Sequence, residues 1–125
     1  MTEAHSQDTV LVYDLRRNRS HRERVLSQVQ DQWQAYQRGE WPVHISEGRI
    51  SKLFFYAHSG EHMFELNEGA QRSAWVRQGD ESWYKVGWWA RIEQVVFHAP
   101  LPVGPVPVVT RIWIGNAPMQ PEAHR

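Results

Sequence analysis

Residues 83–98 read WYKVGWWARIEQVVFH, and the reading of this stretch decides the fold. Its even positions are Tyr84, Val86, Trp88, Ala90, Ile92, Gln94 and Val96, nearly all apolar. Its odd positions, Trp83, Lys85, Gly87, Trp89, Arg91, Glu93 and Val95, mix aromatic with charged groups. Successive side chains of a β-strand point to opposite faces, so the alternation predicts one long strand over residues 83–98, bent at Gly87, with its even side in the core. Val108 to Ile114 repeats the pattern. Val108, Thr110, Ile112 and Ile114 fall on one side; Val109, Arg111 and Trp113 fall on the other.

Working back toward the N-terminus, turn residues divide the chain into further strands. Ile50 to Ala57 and His62 to Leu66 flank His58-Ser59-Gly60-Glu61, a hairpin turn with glycine at the tight position. Asn67-Glu68-Gly69 is a second turn, Gln71 to Arg77 a third strand of this region, and Gln78-Gly79-Asp80-Glu81 the next turn. Thr9 to Leu15 is a short strand with β-branched and aromatic content. On the other side, Ala99 to Pro107 holds four prolines and is expected to be a stiff extended connection without regular structure.

One helix is expected, over residues 21–38. Ser20 and Glu23 have capping-box spacing, and Gly39 followed by Pro42 provides a stop. At about 100° per residue, Val25, Leu26, Val29, Trp33 and Tyr36 make one apolar stripe. The expected architecture is α+β: one main helix packed on one face of a strongly twisted antiparallel sheet of about six strands, in a β-α-β-meander order. The chain of 125 residues is expected to form a single domain, with flexible tails at 1–8 and 116–125.

Composition excludes several function classes. There is no cysteine, hence no disulfide, thiol catalysis or Cys-ligated metal. Net charge is zero, so bulk electrostatics do not drive binding to nucleic acid or membrane. No apolar run approaches the roughly 20 residues of a membrane span, and no secretory signal is visible, so a soluble cytoplasmic protein is expected. Walker A, G-x-G-x-x-G and G-x-S-x-G motifs are all missing. No cofactor is expected.

The candidate binding surface comes from the tryptophans. Seven occur, and Trp75, Trp83, Trp89 and Trp113 each stand two residues from a cation, namely Arg77, Lys85, Arg91 and Arg111. In strands, each pair shares a face. Rings can stack on bases or other planar groups while the cations meet phosphate. The same face could instead close a second small core, with arginine stems lying over the rings, or form a homodimer interface.

Arg16, Arg17, Arg19, Arg22 and Arg24 cluster at the helix entrance with only Glu23 opposing them. Arginines there oppose the helix dipole, and a bound phosphate-bearing anion would reverse that cost. Arg22 also falls inside the apolar stripe, where it can bridge to a strand carboxylate. Finally, His58 and His62 flank the hairpin turn and are weak metal candidates. The leading expectation is a non-catalytic module binding single-stranded nucleic acid or another polyanionic or planar ligand. The alternatives are a homodimeric interaction protein, and a small hydrolytic or metal-assisted enzyme around His58 and His62.

Overall fold

The computed structural model describes residues 9–119, with the side chain of Val25 outside the described set. It is an α+β structure with one six-stranded antiparallel sheet. In chain order the elements are β1 (Thr9–Asp14), a short turn of 3-10 helix (Leu15–Arg17), α1 (Arg19–Leu26), α2 (Gln30–Gln37), β2 (His44–Tyr56), β3 (Glu61–Glu68), β4 (Gln71–Val76), a second 3-10 turn (Glu81–Trp83), β5 (Trp89–Ala99) and β6 (Gly104–Gly115).

The sheet order is β1-β6-β5-β2-β3-β4, which differs from a simple meander. Strands β2, β3 and β4 do follow one another. The chain then returns to the far side of β2, where His44–Arg49 pairs with Trp89–Gln94. β2 therefore serves two neighbours in succession, β5 along its first half and β3 from Arg49 onward. Gly48 lies at this switch. A Cβ there would stand 2.1 Å from the Asn67 carbonyl oxygen, so the close approach of β2 and β3 requires glycine. The same glycine weakens the local strand pattern, and the expected strand accordingly begins late, at Ile50 instead of His44.

The single expected helix is two. α1 is capped by Asn18, whose side chain accepts from the His21 N–H at 3.1 Å; the Ser20 capping box does not form, because Ser20 already lies within the helix. Asparagine caps as well as serine, and its extended backbone suits the position. The helix breaks between Leu26 and Gln30. Leu26 and Val29, on either side of the break, are both buried, as are Trp33 and Tyr36. The apolar stripe thus stays on the core through a change of helix.

The long strand expected over 83–98 starts only at Trp89. Residues 81–83 are a 3-10 turn, and the Trp88 N–H bonds the Lys85 carbonyl in a further turn. This connection covers part of the core: Tyr84 is buried against Phe64, with ring centroids 5.0 Å apart. It also reaches the opposite sheet edge. Gly79, at φ +77°, sits so near β1 that a Cβ would lie 2.0 Å from the Val12 carbonyl oxygen.

The buried side of β5 changes partway. β6 carries one more residue than β5 between the pairs Glu93↔Arg111 and Gln94↔Val109. Beyond this bulge, Val95 and Phe97 are buried and Val96 is 42% exposed, the reverse of strict alternation from Ala90 and Ile92. Val86, likewise expected inside, is exposed in the turn before the strand. The proline-rich connection is also more regular than expected. β5 runs to Ala99 and β6 begins at Gly104, leaving a four-residue loop. Pro105 and Pro107 fit in β6 because β1 pairs only with Arg111–Gly115; their stretch has a strand partner on one side alone.

The expected loose tail at 1–8 lies outside the described residues. Residues 116–119 are described, and the Met119 N–H donates to Glu47 at 3.0 Å. No helix among the described residues is long and apolar enough to cross a membrane.

Gly48→Ala should lower the urea midpoint by an amount corresponding to on the order of 2–3 kcal/mol, since the added methyl meets backbone. Gln34→Ala on the exposed side of α2 should stay within about 0.5 kcal/mol of the parent.

Candidate functional site

Directly opposed residues of antiparallel strands share a face. Strand register therefore fixes which aromatic and charged groups stand together on the sheet face opposite Ala90 and Ile92, called the outer face below, whose further end is covered by α2 at Glu93. Trp113 of β6 is opposite Arg91 of β5, and Arg91 is opposite Glu47 of β2. One step along, Trp89 of β5 is opposite Gly115 on one side and Arg49 on the other. Trp89 and Trp113 are thus diagonal neighbours around Arg91, and Gly115 leaves the β6 side of the Trp89 ring without a flanking side chain. Both rings are half-buried.

The other tryptophans go elsewhere. Trp75 is opposite Phe64, a fully buried residue, and lies on the core side of β4. Its companion Arg77 follows it there, donating to the Phe54 carbonyl at 3.1 Å and standing 4.0 Å from Glu81. Trp83 belongs to the 3-10 turn and packs against the core, as do Trp41 and Trp88. Lys85 sits over Trp88, 4.6 Å from the ring centroid, and not beside Trp83. The spacing of two residues marks a shared face only within a strand, and residues 83–85 are not one. The four expected pairs reduce to two: Trp89 with Arg91, and Trp113 with Arg111, whose guanidinium lies 4.9 Å from the ring.

Both of these arginines are held by carboxylates. Arg91 meets Glu47 at 3.0 Å, and its side chain is only 17% exposed. Arg111 grips Glu93 through two hydrogen bonds, of 2.9 and 2.7 Å. Glu93 is the centre of a buried network. It also accepts from Tyr36 of α2 at 2.5 Å and from Thr110 at 2.8 Å. Beside it, Asp14 of β1 lies opposite Arg111 and accepts from the backbone and guanidinium of Arg16. A cavity of about 320 Å³ opens over the network, lined by Arg16, Tyr36, Trp41, Glu93 and Arg111 among others. Its charged groups already satisfy one another.

The electrostatics follow from these contacts. Burial alone would raise the Glu93 carboxyl; hydrogen bonds from Arg111, Tyr36 and Thr110, with the Arg111 charge, outweigh it and hold the group below its ordinary range. Asp14 is also lowered, burial being overcome by its contacts with Arg16. Burial, then the bond to Glu93, pushes Tyr36 up to about 12. Both carboxyls are ionised at neutral pH.

The basic cluster at the helix entrance is largely neutralised from within. Arg16 and Arg17 stand within 4.0 Å of Asp14, and Arg19 meets Glu23 at 3.1 Å. Arg22 donates to the Arg16 carbonyl, bridging to backbone and not to a strand carboxylate. A groove of about 720 Å³ runs beside Arg17 and Arg19, but Asp14 and Glu23 line it too. Asn18 occupies the His21 N–H at the helix start.

His58 and His62 part company: His62 bonds Glu81 at 2.7 Å, while His58 packs by the Tyr56 ring. No group of three or more potential metal ligands comes together among the described residues. Glu93, Glu47 and Arg49 were not singled out by the sequence. Glu93 looks like any acid on an alternating strand; only its pairing with Arg111 across β6 reveals its role. No family model matches the chain, and no curated protein matches it.

Tyr36→Phe should cost about 2 kcal/mol, the scale of a hydrogen bond to a charged acceptor. Glu93 has a depressed folded pKa, so its contribution is present at neutral pH and is lost as pH falls through that value. Thermal melts from about pH 7 to about pH 3 should show Glu93→Gln less stable at neutral pH with a shallower acid decline. Parallel curves for the two proteins would contradict this.

Proposed function

We propose that this is a non-catalytic, cytoplasmic binding module that takes single-stranded nucleic acid on the outer face of its sheet. The observation that carries the reading is the cross-strand pair Trp113 and Arg91 with Trp89 diagonal to it. Two half-buried rings on one sheet face, one with an empty flank at Gly115, suit unstacked bases. Stacking contributes roughly 1–3 kcal/mol per base and tolerates any sequence. Arg91 and Arg111, fixed by Glu47 and Glu93, keep the rings in position more than they meet phosphate. With zero net charge on the chain, the affinity should depend on salt only modestly.

A second reading is self-association, favoured by one observation. An apolar patch lies at the start of β2, where Val43 and Ile45 are each more than 40% exposed. Such a patch suits a second copy of the chain.

Titration with a mixed-sequence oligonucleotide at low salt should quench tryptophan emission. Trp89→Ala should weaken binding about tenfold, the loss of roughly one stacked base. Unchanged emission throughout the titration would rule the reading out. Light scattering tests the alternative: a dimer that Ile45→Glu converts to monomer would favour self-association.

A further inference from the structure

Seven of the eleven described arginines stand within 4.0 Å of a carboxylate. Arg49 and Arg72 do not, and both are exposed. The register puts these two in one row with Trp89. Trp89 of β5 is opposite Arg49 of β2, Arg49 is opposite Asn67 of β3, and Asn67 is opposite Arg72 of edge strand β4. With strands about 4.8 Å apart, the row runs about 14 Å across the sheet, and Trp113 on β6 extends it to about 19 Å. Arg49 is anchored through Nε to the Gly87 carbonyl at 3.1 Å, which leaves its terminal amino groups without a partner among the described residues.

The acids nearby are engaged elsewhere. Glu47 holds Arg91 and accepts the Met119 N–H. Glu68 accepts the Glu47 N–H, and Glu65, opposite Lys52, accepts from Ser51 at 2.7 Å. A path along the strands is less suitable for a polyanion. Beyond Trp113 and Arg91 it meets Arg111 already neutralised by Glu93, then the apolar Ile45 opposite Glu93.

We infer that a single strand of nucleic acid crosses the strands of the sheet instead of following them. Bases stack at Trp113 and Trp89, the backbone phosphates descend over Arg49 and Arg72, and the Asn67 amide lies between the two. The contact ends at the β4 edge and takes about four nucleotides, the short end of single-strand site sizes. This rests on the reading of the outer face as a nucleic-acid surface.

The test compares a thymidine dinucleotide with an oligothymidylate of about eight nucleotides, titrated against the full chain by tryptophan emission at several salt concentrations. Arg49→Ala and Arg72→Ala should each weaken the longer oligomer about fivefold or more. Each should reduce the slope of log affinity against log salt by about 0.7, one phosphate contact on a single strand. The dinucleotide should bind these variants as it binds the parent, whereas Trp89→Ala should weaken both ligands. If the parent binds the longer oligomer and the arginine variants match it in affinity and salt slope, the crossing path is overturned and the stacking face stands. If the parent binds neither ligand, both are overturned.

Discussion

The Glu93 carboxylate is the contact on which the arrangement depends. It receives hydrogen bonds from Arg111 and Thr110 of β6 and from Tyr36 of α2, so one side chain joins the sheet centre to the helical layer. It sits where β6 gains its extra residue and where burial on β5 passes from Ala90 and Ile92 on one face to Val95 and Phe97 on the other. Taking a charge out of water is costly unless it is paired and hydrogen-bonded. Glu93 meets that condition through four donated bonds. Asp14, opposite Arg111, repeats the device at the neighbouring strand and fastens the 3-10 turn that leads into α1. The two acids thereby connect β1, β5, β6 and α2 through one polar cluster.

That cluster has an electrostatic corollary. With equal numbers of acidic and basic residues, each arginine held by an internal carboxylate is removed from any external role. Arg16, Arg91 and Arg111 are engaged in this way. What remains outside is sparse, and its placement by register, not its quantity, gives the outer face its polarity. The aromatic groups concentrate toward β5 and β6, and the unpaired guanidiniums toward β2 and β4.

Much of the α+β character was legible from local pattern. Alternation over Ile112 to Ile114, the glycine at the His58–Glu61 turn and the apolar stripe through Leu26, Val29, Trp33 and Tyr36 are short-range signals, and they lead to the observed elements. Most of the departures in the sheet are cases where a long-range contact decides. Gly48 looks like a strand breaker until Asn67 is seen to need its space. At the β6 bulge, burial on β5 passes from the even to the odd positions while the even positions of β6 stay buried throughout, so no single segment betrays it. The helix break falls within a continuous apolar stripe. Among the site residues, the facing of Trp89 and Trp113 was legible because the stretches Trp89–Glu93 and Arg111–Gly115 alternate without a bulge. Trp75 and Trp83 were misplaced, since the parity of an edge strand and the existence of a turn both depend on partners distant in sequence. Arg49 and Arg72 carry no local mark at all. Only the order β5-β2-β3-β4 brings them into line.

The prolines of β6 bear on how this sheet meets other chains. Pro105 and Pro107 occupy the stretch that β1 leaves uncovered. An open strand flank normally offers a run of amide donors to any passing extended peptide, and so invites growth of the sheet from molecule to molecule. Here that flank lacks two of its donors. A neighbouring polypeptide that approaches it finds an incomplete ladder, and stacking edge to edge into fibrils is disfavoured there.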